Sequence, residues 1–209
     1  MEKPDPSVGV VIFDGAEELD FVGPWEVFTG AKKALSDDPY GMAGDLGVKL
    51  VAQAHEPVTC AKGMRVLPHA TFDEVDALDV VLVPGGIGTR RECENPLLLD
   101  WLRVVAADAR WVTSVCTGAL VLHGAGLTRG RRITTHWAFV ETLRELAGNA
   151  TVLDSVRYVR DGNLVTAAGV SAGIDMALWL VGQVWSVRLA RSVQKGIEYD
   201  PAPPYGAEV

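Results

Sequence analysis

Residues 111–122 read WVTSVCTGALVL, and this stretch decides the fold. Trp111–Val115 is a continuous run rich in β-branched residues, which marks a strand buried on both faces. Cys116 follows at once, and a helical pattern, TGALVLHGAGL, begins directly after it. No loop separates strand from helix, so the cysteine sits on a tight strand-to-helix turn. Upstream, Asp79–Val83 (DVVLV) is a second buried strand that stops at Pro84-Gly85-Gly86. Val8–Phe13 is a third, ending at Asp14-Gly15. Asp20 then precedes FVGPWEVFTGAKKAL, in which Phe21, Trp25 and Phe28 fall near one face, and Asp20 can cap that helix.

The rest of the chain continues the alternation. Val48–Ala54 reads as a strand, and residues 58–67 as a short hairpin turning at Lys62-Gly63. Asn95-Pro96 opens a helix to about Asp108, with a capping side chain and proline at the first helical position. Thr134-Thr135 can cap a helix from His136 to about Ala147. VRYVRDGNLVTAAG, residues 156–169, predicts a hairpin turning at Asp161-Gly162. Ser171 can cap a long apolar helix, a last helix ends near Tyr199, and the tail is proline-rich and irregular. Strands alternating with helices imply parallel pairing and an α/β sandwich around a mostly parallel central sheet. With no repeat or linker, one domain over 1–209, its core at 7–199, is the simplest division.

Composition narrows the function. The 209 residues carry a net charge of −8, which discourages nucleic-acid binding through a general basic field. The charge is uneven, −9 over residues 1–104 and +1 over the remainder, and reads as a solvated acidic surface. Cysteines 60, 93 and 116 are too few and too scattered for a disulfide scaffold. The N-terminus lacks a basic start followed by an apolar core, and Ile174–Val187 is too short to span a membrane and contains Asp175 and Gln183. A cytoplasmic protein with reduced thiols is expected.

In open α/β sheets, ligands bind beyond the carboxyl ends of the strands. That rule selects Asp20, Gly85-Gly86 and Cys116. The elbow-like turn makes Cys116 the candidate nucleophile, with a helix N-terminus expected to favour its thiolate. The backbone N–H groups at Gly85-Gly86, with that of Thr117, are expected to form an oxyanion hole. Asp20 is either a plain helix cap or, beside the thiol in a partly dry crevice, a carboxyl that holds its proton tightly and acts as general acid. His136 is a weaker candidate for the crevice, and His123 reads as structural. Cys60 and Cys93 lack CxxC or histidine partners, so no metal site is indicated. PGGIG at 84–88 is a turn rather than a dinucleotide fingerprint, and no cofactor is expected.

Taken together, GAEELD at 15–20, VGPWEVF at 22–28, VLVPGGIGTR at 81–90 and SVCTGALVL at 114–122 resemble the ThiJ/PfpI superfamily over roughly residues 8–200. The resemblance implies a flavodoxin-like, class I glutamine amidotransferase-like fold. Asp20, Gly23 and Pro24, with QKGIEYDPAPPY at 194–205 and TTHW at 134–137, are similar to the isonitrile hydratase branch; many other relatives carry Glu at position 20. By that resemblance Cys116 is the nucleophile, Asp20 its acid/base partner, and Thr117 a contributor. A small-molecule substrate and a homodimer are implied. Three alternatives stay open: a glyoxalase or deglycase acting on small aldehydes, a sensor domain like those of AraC-type regulators, and a cysteine-oxidation sensor. Arg188, Arg191 and Lys195 on the last helix read as a solvated face, and Trp179 and Trp185 as core.

Overall fold

The structure, a computed structural model, describes residues 6–36 and 46–200; the proline-rich tail beyond 200 lies outside them. Seven strands form the central sheet: β1 Val8–Val11, β2 Val48–Ala52, β5 Ala70–Thr71, β6 Val80–Val83, β7 Trp111–Val115, β10 Tyr158–Asp161 and β11 Leu164–Ala167. Their order is β10-β11-β7-β6-β1-β2-β5. Every pairing is parallel except the β10–β11 hairpin at one edge. β1, β6 and β7 are buried at every residue, as continuous apolar runs require of strands covered on both faces.

Helices cover both faces and make this a three-layer α/β sandwich. On one side α1 (Glu18–Leu35) packs against α6 (Ala172–Val184) and α7 (Val187–Gly196). On the other, α3 (Pro96–Asp108) and the short α2 (Thr89–Glu92) pack on α4 (Gly118–Gly124). α1 and α6 approach closely because Gly23 faces Ile174, where even a methyl would come within 2.8 Å of the Ile174 side chain. Arg188, Arg191 and Lys195 are exposed on α7, while Trp179 and Trp185 pack partly buried against the core.

Several elements fall where the sequence places them. Asn95 caps α3, accepting a hydrogen bond from the Leu97 N–H at 3.2 Å. The short hairpin joins β3 (Val58–Thr59) to β4 (Arg65–Val66), with Gly63 at φ +92°. Other local expectations are overturned by longer-range partners. Asp20 is not the cap of α1, because the helix begins two residues earlier. Thr134 and Thr135 do not cap a helix from 136. Their hydroxyls donate to Leu153 and Cys116 carbonyls, and His136 instead caps a 3-10 turn, Trp137–Phe139, that leads into α5 (Val140–Leu146). Ser171 precedes α6 without a capping side-chain bond, its hydroxyl serving Arg157. β8 (Arg132–Ile133) and β9 (Thr151–Val152) form a small separate ribbon outside the main sheet.

Candidate active site

Cys116 ends β7 with φ +56°, a left-handed backbone that L residues adopt at a cost on the order of 1–3 kcal/mol. The surroundings hold it there. Its N–H donates to the Ala167 and Ala168 carbonyls at 3.1 and 2.9 Å, at the end of β11. Its carbonyl accepts from the Thr135 hydroxyl at 2.8 Å. The thiol is thereby thrust out of the strand line, as at a hydrolase nucleophile elbow.

Asp20, in the first turn of α1, is completely buried. Its Oδ2 accepts from the Gly85 N–H at 2.8 Å, while Oδ1 has no hydrogen-bond partner. Gly85 is the hub of the site. A methyl there would lie 2.6 Å from the Thr117 nitrogen, 2.7 Å from Cys116 Cβ and 2.8 Å from Asp20 Oδ2, so these three groups converge on space that only glycine leaves open. The carboxyl ends of β1, β6 and β7 therefore bring Asp20, Gly85 and Cys116 together.

Electrostatics couple the two groups. Burial raises the Asp20 carboxyl to about 7, with Glu17 adding to the rise and the Gly85 N–H opposing it. Burial also pushes the Cys116 thiol up to about 12, and the Asp20 charge adds to that. This corrects the expectation that the helix N-terminus makes a ready thiolate: α4 starts at Gly118 and is only seven residues long, and desolvation outweighs it. The backbone of Thr117 and Val170 and the Thr117 hydroxyl partly offset the burial. Val170 itself has φ +33°, and sequence gives no signal of that in a β-branched residue.

The oxyanion hole foreseen at Gly85-Gly86 takes a different form. The Gly85 N–H is held by Asp20 and the Gly86 N–H by Thr117 Oγ1 at 3.0 Å, so both point at protein acceptors. Gly86, at φ +117°, packs so tightly on the 15–17 segment that a methyl would come within 2.3 Å of the Gly15 carbonyl oxygen. His136 lies beside the site, its ring against Gly169 and its Nδ1 accepting from the Ala138 N–H at 3.2 Å. His123 pairs with the Thr128 hydroxyl at 2.8 Å, a structural role. Cys60 and Cys93 lie elsewhere, and among the described residues no cluster of His, Cys, Asp and Glu has a metal-binding arrangement. Sequence reasoning missed Thr89 and Thr135 as site neighbours, although Thr89 stands within the VLVPGGIGTR motif.

A buried carboxyl, a cysteine elbow and a glycine turn on this topology match one known group: the DJ-1/PfpI family pattern covers residues 6–183. The chain belongs to the DJ-1/PfpI family. It is 44% identical to the isonitrile hydratase of Pseudomonas putida over 198 residues, 95% of this chain and 80% of that one. A ThiJ/PfpI family protein from Pseudomonas syringae superposes with a TM-score of 0.83 at 33% identity, covering 98% of this chain and 79% of that one. Drosophila melanogaster DJ-1beta superposes with a TM-score of 0.78 at 25% identity, covering 94% and 100%. One of these relatives carries a hydration reaction in its name. No helix among its described residues is long and apolar enough to cross a membrane.

Proposed function

We propose that this DJ-1/PfpI protein hydrates isonitriles to N-substituted formamides, with Cys116 as nucleophile and Asp20 as the group that moves protons. One observation carries the reading: a fully buried carboxyl, raised to about 7, and a buried cysteine close together on Gly85. The 44% identity to an isonitrile hydratase supports the substrate class.

The chemistry follows from the pair. Ionised Asp20 accepts the thiol proton, which places one proton and one negative charge on the two groups. The thiolate attacks the terminal carbon of R–N≡C, and Asp20 returns the proton to that carbon, giving the thioimidate R–N=CH–S–Cys116. Water adds to the same carbon, and Asp20 accepts one of its protons and passes it to the nitrogen, giving R–NH–CH(OH)–S–Cys116. The adduct collapses by breaking the C–S bond as Asp20 takes the hydroxyl proton and returns it to the departing sulfur, releasing R–NH–CHO and restoring the thiol. One hard hydration becomes two easier steps, and neither requires a metal or an organic cofactor.

The Asp20 Oδ1, free of protein partners, is the atom suited to hold the water. Trp137 and Ile87, 80% and 64% exposed, follow His136 and Gly86 directly and supply an apolar rim for R, with Phe139 beneath the Arg90 guanidinium at 4.4 Å. Phe21 is buried in the core and adds nothing to that rim. The same reading takes the working form to be a homodimer in the cytoplasm.

Incubation of the purified protein with cyclohexyl isocyanide and, separately, with methylglyoxal tests the reading. N-cyclohexylformamide is the expected product, with a Cys116 adduct visible by intact-mass measurement. Lactate from the second substrate, with no formamide from the first, would replace the hydratase with a glyoxalase.

A further inference from the structure

Arg90, the second residue of α2, is exposed, yet its guanidinium is pinned by three neighbours. Nη1 donates to the Gly86 carbonyl at 2.8 Å and to the Thr89 hydroxyl oxygen at 3.4 Å, and the group lies over the Phe139 ring at 4.4 Å. These contacts tie the glycine turn after β6 to the Trp137–Phe139 turn. The same Gly86 carbonyl lies 3.3 Å from the hydroxyl of Thr117, the residue after Cys116. One shared carbonyl therefore separates the cation from the cysteine elbow, and Ile87 and Trp137, the apolar rim, flank its anchors in the chain.

Only one side of the guanidinium is spent. Nε and Nη2 meet no acceptor among the described residues. That edge presents two parallel N–H donors in the geometry a carboxylate matches. The stack on Phe139 orders the side chain beforehand, so less freedom is lost when an anion binds. Two acidic side chains on the flanking segments are already paired, Glu17 with Lys62 and Glu92 with Arg91.

We propose that Arg90 sets the specificity of the site: its Nε–Nη2 edge holds a carboxylate carried by R, so the substrate class is an isonitrile with an acidic R group. The inference rests on Cys116 attacking an isonitrile. R then runs along the rim, its isonitrile carbon at Cys116 and its carboxylate at the guanidinium. The Gly86 carbonyl also accepts from the Thr89 hydroxyl at 2.8 Å, so the glycine turn keeps a donor when Arg90 is replaced.

Turnover of 4-isocyanobutanoate and of 4-isocyanobutanamide, close in shape and different in charge, tests this. The parent is expected to favour the acid about five-fold in kcat/KM, through KM rather than kcat. Arg90→Met, which keeps an unbranched side chain over Phe139, brings that ratio to about one. Arg90→Lys, with the charge but not the fork, falls between. The ratio cancels any loss common to both substrates. A ratio near one in the parent, or an unchanged ratio in Arg90→Met, overturns the proposal. A second measurement needs no turnover: protection of Cys116 from iodoacetamide, read by peptide mass, by 4-formamidobutanoate and by its amide. The acid is expected to protect the parent better than the amide does, and to lose that advantage in Arg90→Met. Equal protection of the parent by both overturns the proposal. If neither isonitrile gives a formamide, the hydratase reading fails, while the protection ratios still decide whether Arg90 holds a carboxylate.

Discussion

Two hollows open at the carboxyl edge of the same sheet. One is the crevice where Asp20, Gly85 and Cys116 meet. The other, a cleft of about 630 Å³ beyond β1 and β2, is lined by Phe13, Asp14, Gln53, Phe72, Arg91 and Glu92 among others; neither Cys116 nor Asp20 reaches it. The cleft is roomy and acid-lined, but its Gln53, Arg91, Glu92 and Asn95 are tied to partners within it. Buried Glu92 pairs with Arg91 and accepts from Asn95 Nδ2 at 2.7 Å; Asn95 also reaches Gln53 at 3.0 Å, and Arg91 donates to the Asp14 carbonyl at 3.1 Å. In the crevice the reverse holds: a buried carboxylate oxygen is unpartnered, the backbone is held left-handed, and two protons are displaced from their usual affinities. Reactivity at this sheet edge follows unmet polar demand rather than volume.

Substitutions can break that contrast. Cys116→Ala and Asp20→Asn should each lower isonitrile turnover by about a thousand-fold or more, whereas Glu92→Gln in the cleft should leave kcat/KM within about two-fold. Unchanged rates in the first two variants would remove the crevice from the mechanism. Gly85→Ala should cost on the order of a hundred-fold in kcat, since the added methyl displaces the Thr117 nitrogen, Cys116 Cβ or Asp20 by several tenths of an ångström. A parent-like rate for that variant would mean the three groups need not converge.

The pH dependence sharpens the contrast further. In the unfolded chain an aspartyl group ionises near 3.8, and in the fold near 7. Between those values the folded state holds a proton that the unfolded state has released, so Asp20 costs stability progressively as pH rises through the window and most above it. Asp20→Asn is expected to raise the unfolding free energy on the order of 2 kcal/mol at pH 8 and to leave it nearly unchanged at pH 4. Chemical denaturation at the two pH values measures this; an equal effect at both would place the Asp20 proton affinity near normal. In the parent, kcat/KM should rise with pH to a plateau above about 7, as Asp20 ionises and can take the thiol proton. The smallest effect falls in the cleft: Glu92→Gln should lower stability by about 1 kcal/mol through its weakened pairs, with activity retained.

What the amino-acid sequence shows of this molecule depends on how local the deciding interaction is. β1, β6 and β7 are legible because a parallel strand covered on both faces has to be apolar throughout, and the cysteine elbow is legible because strand and helix abut without a loop. Asn95 is legible as a cap because its partner is two residues away. Asp20 is legible as a residue of the strand edge, from the resemblance and the strand-edge rule, but is read incorrectly as a cap, because its acceptor role is set by Gly85, sixty-five residues on. Thr134 and Thr135 fail as caps for the same reason. The two-residue strands β5, β8 and β9 are too short to show a period. The thiol's raised proton affinity comes from burial and the Asp20 charge, which only the packed structure reveals.

The left-handed turn at Cys116 is anchored by the Ala167 and Ala168 carbonyls and by the Thr135 hydroxyl, all from residues that leave the ribosome well after the cysteine. A nascent chain halted before residue 135 has β7 but neither Thr135 nor β11 beside it, and none of these anchors for the turn. Its Cys116 relaxes to ordinary backbone and behaves as a plain thiol. The left-handed turn that sets Cys116 beside Asp20 therefore waits for β11 to join the sheet.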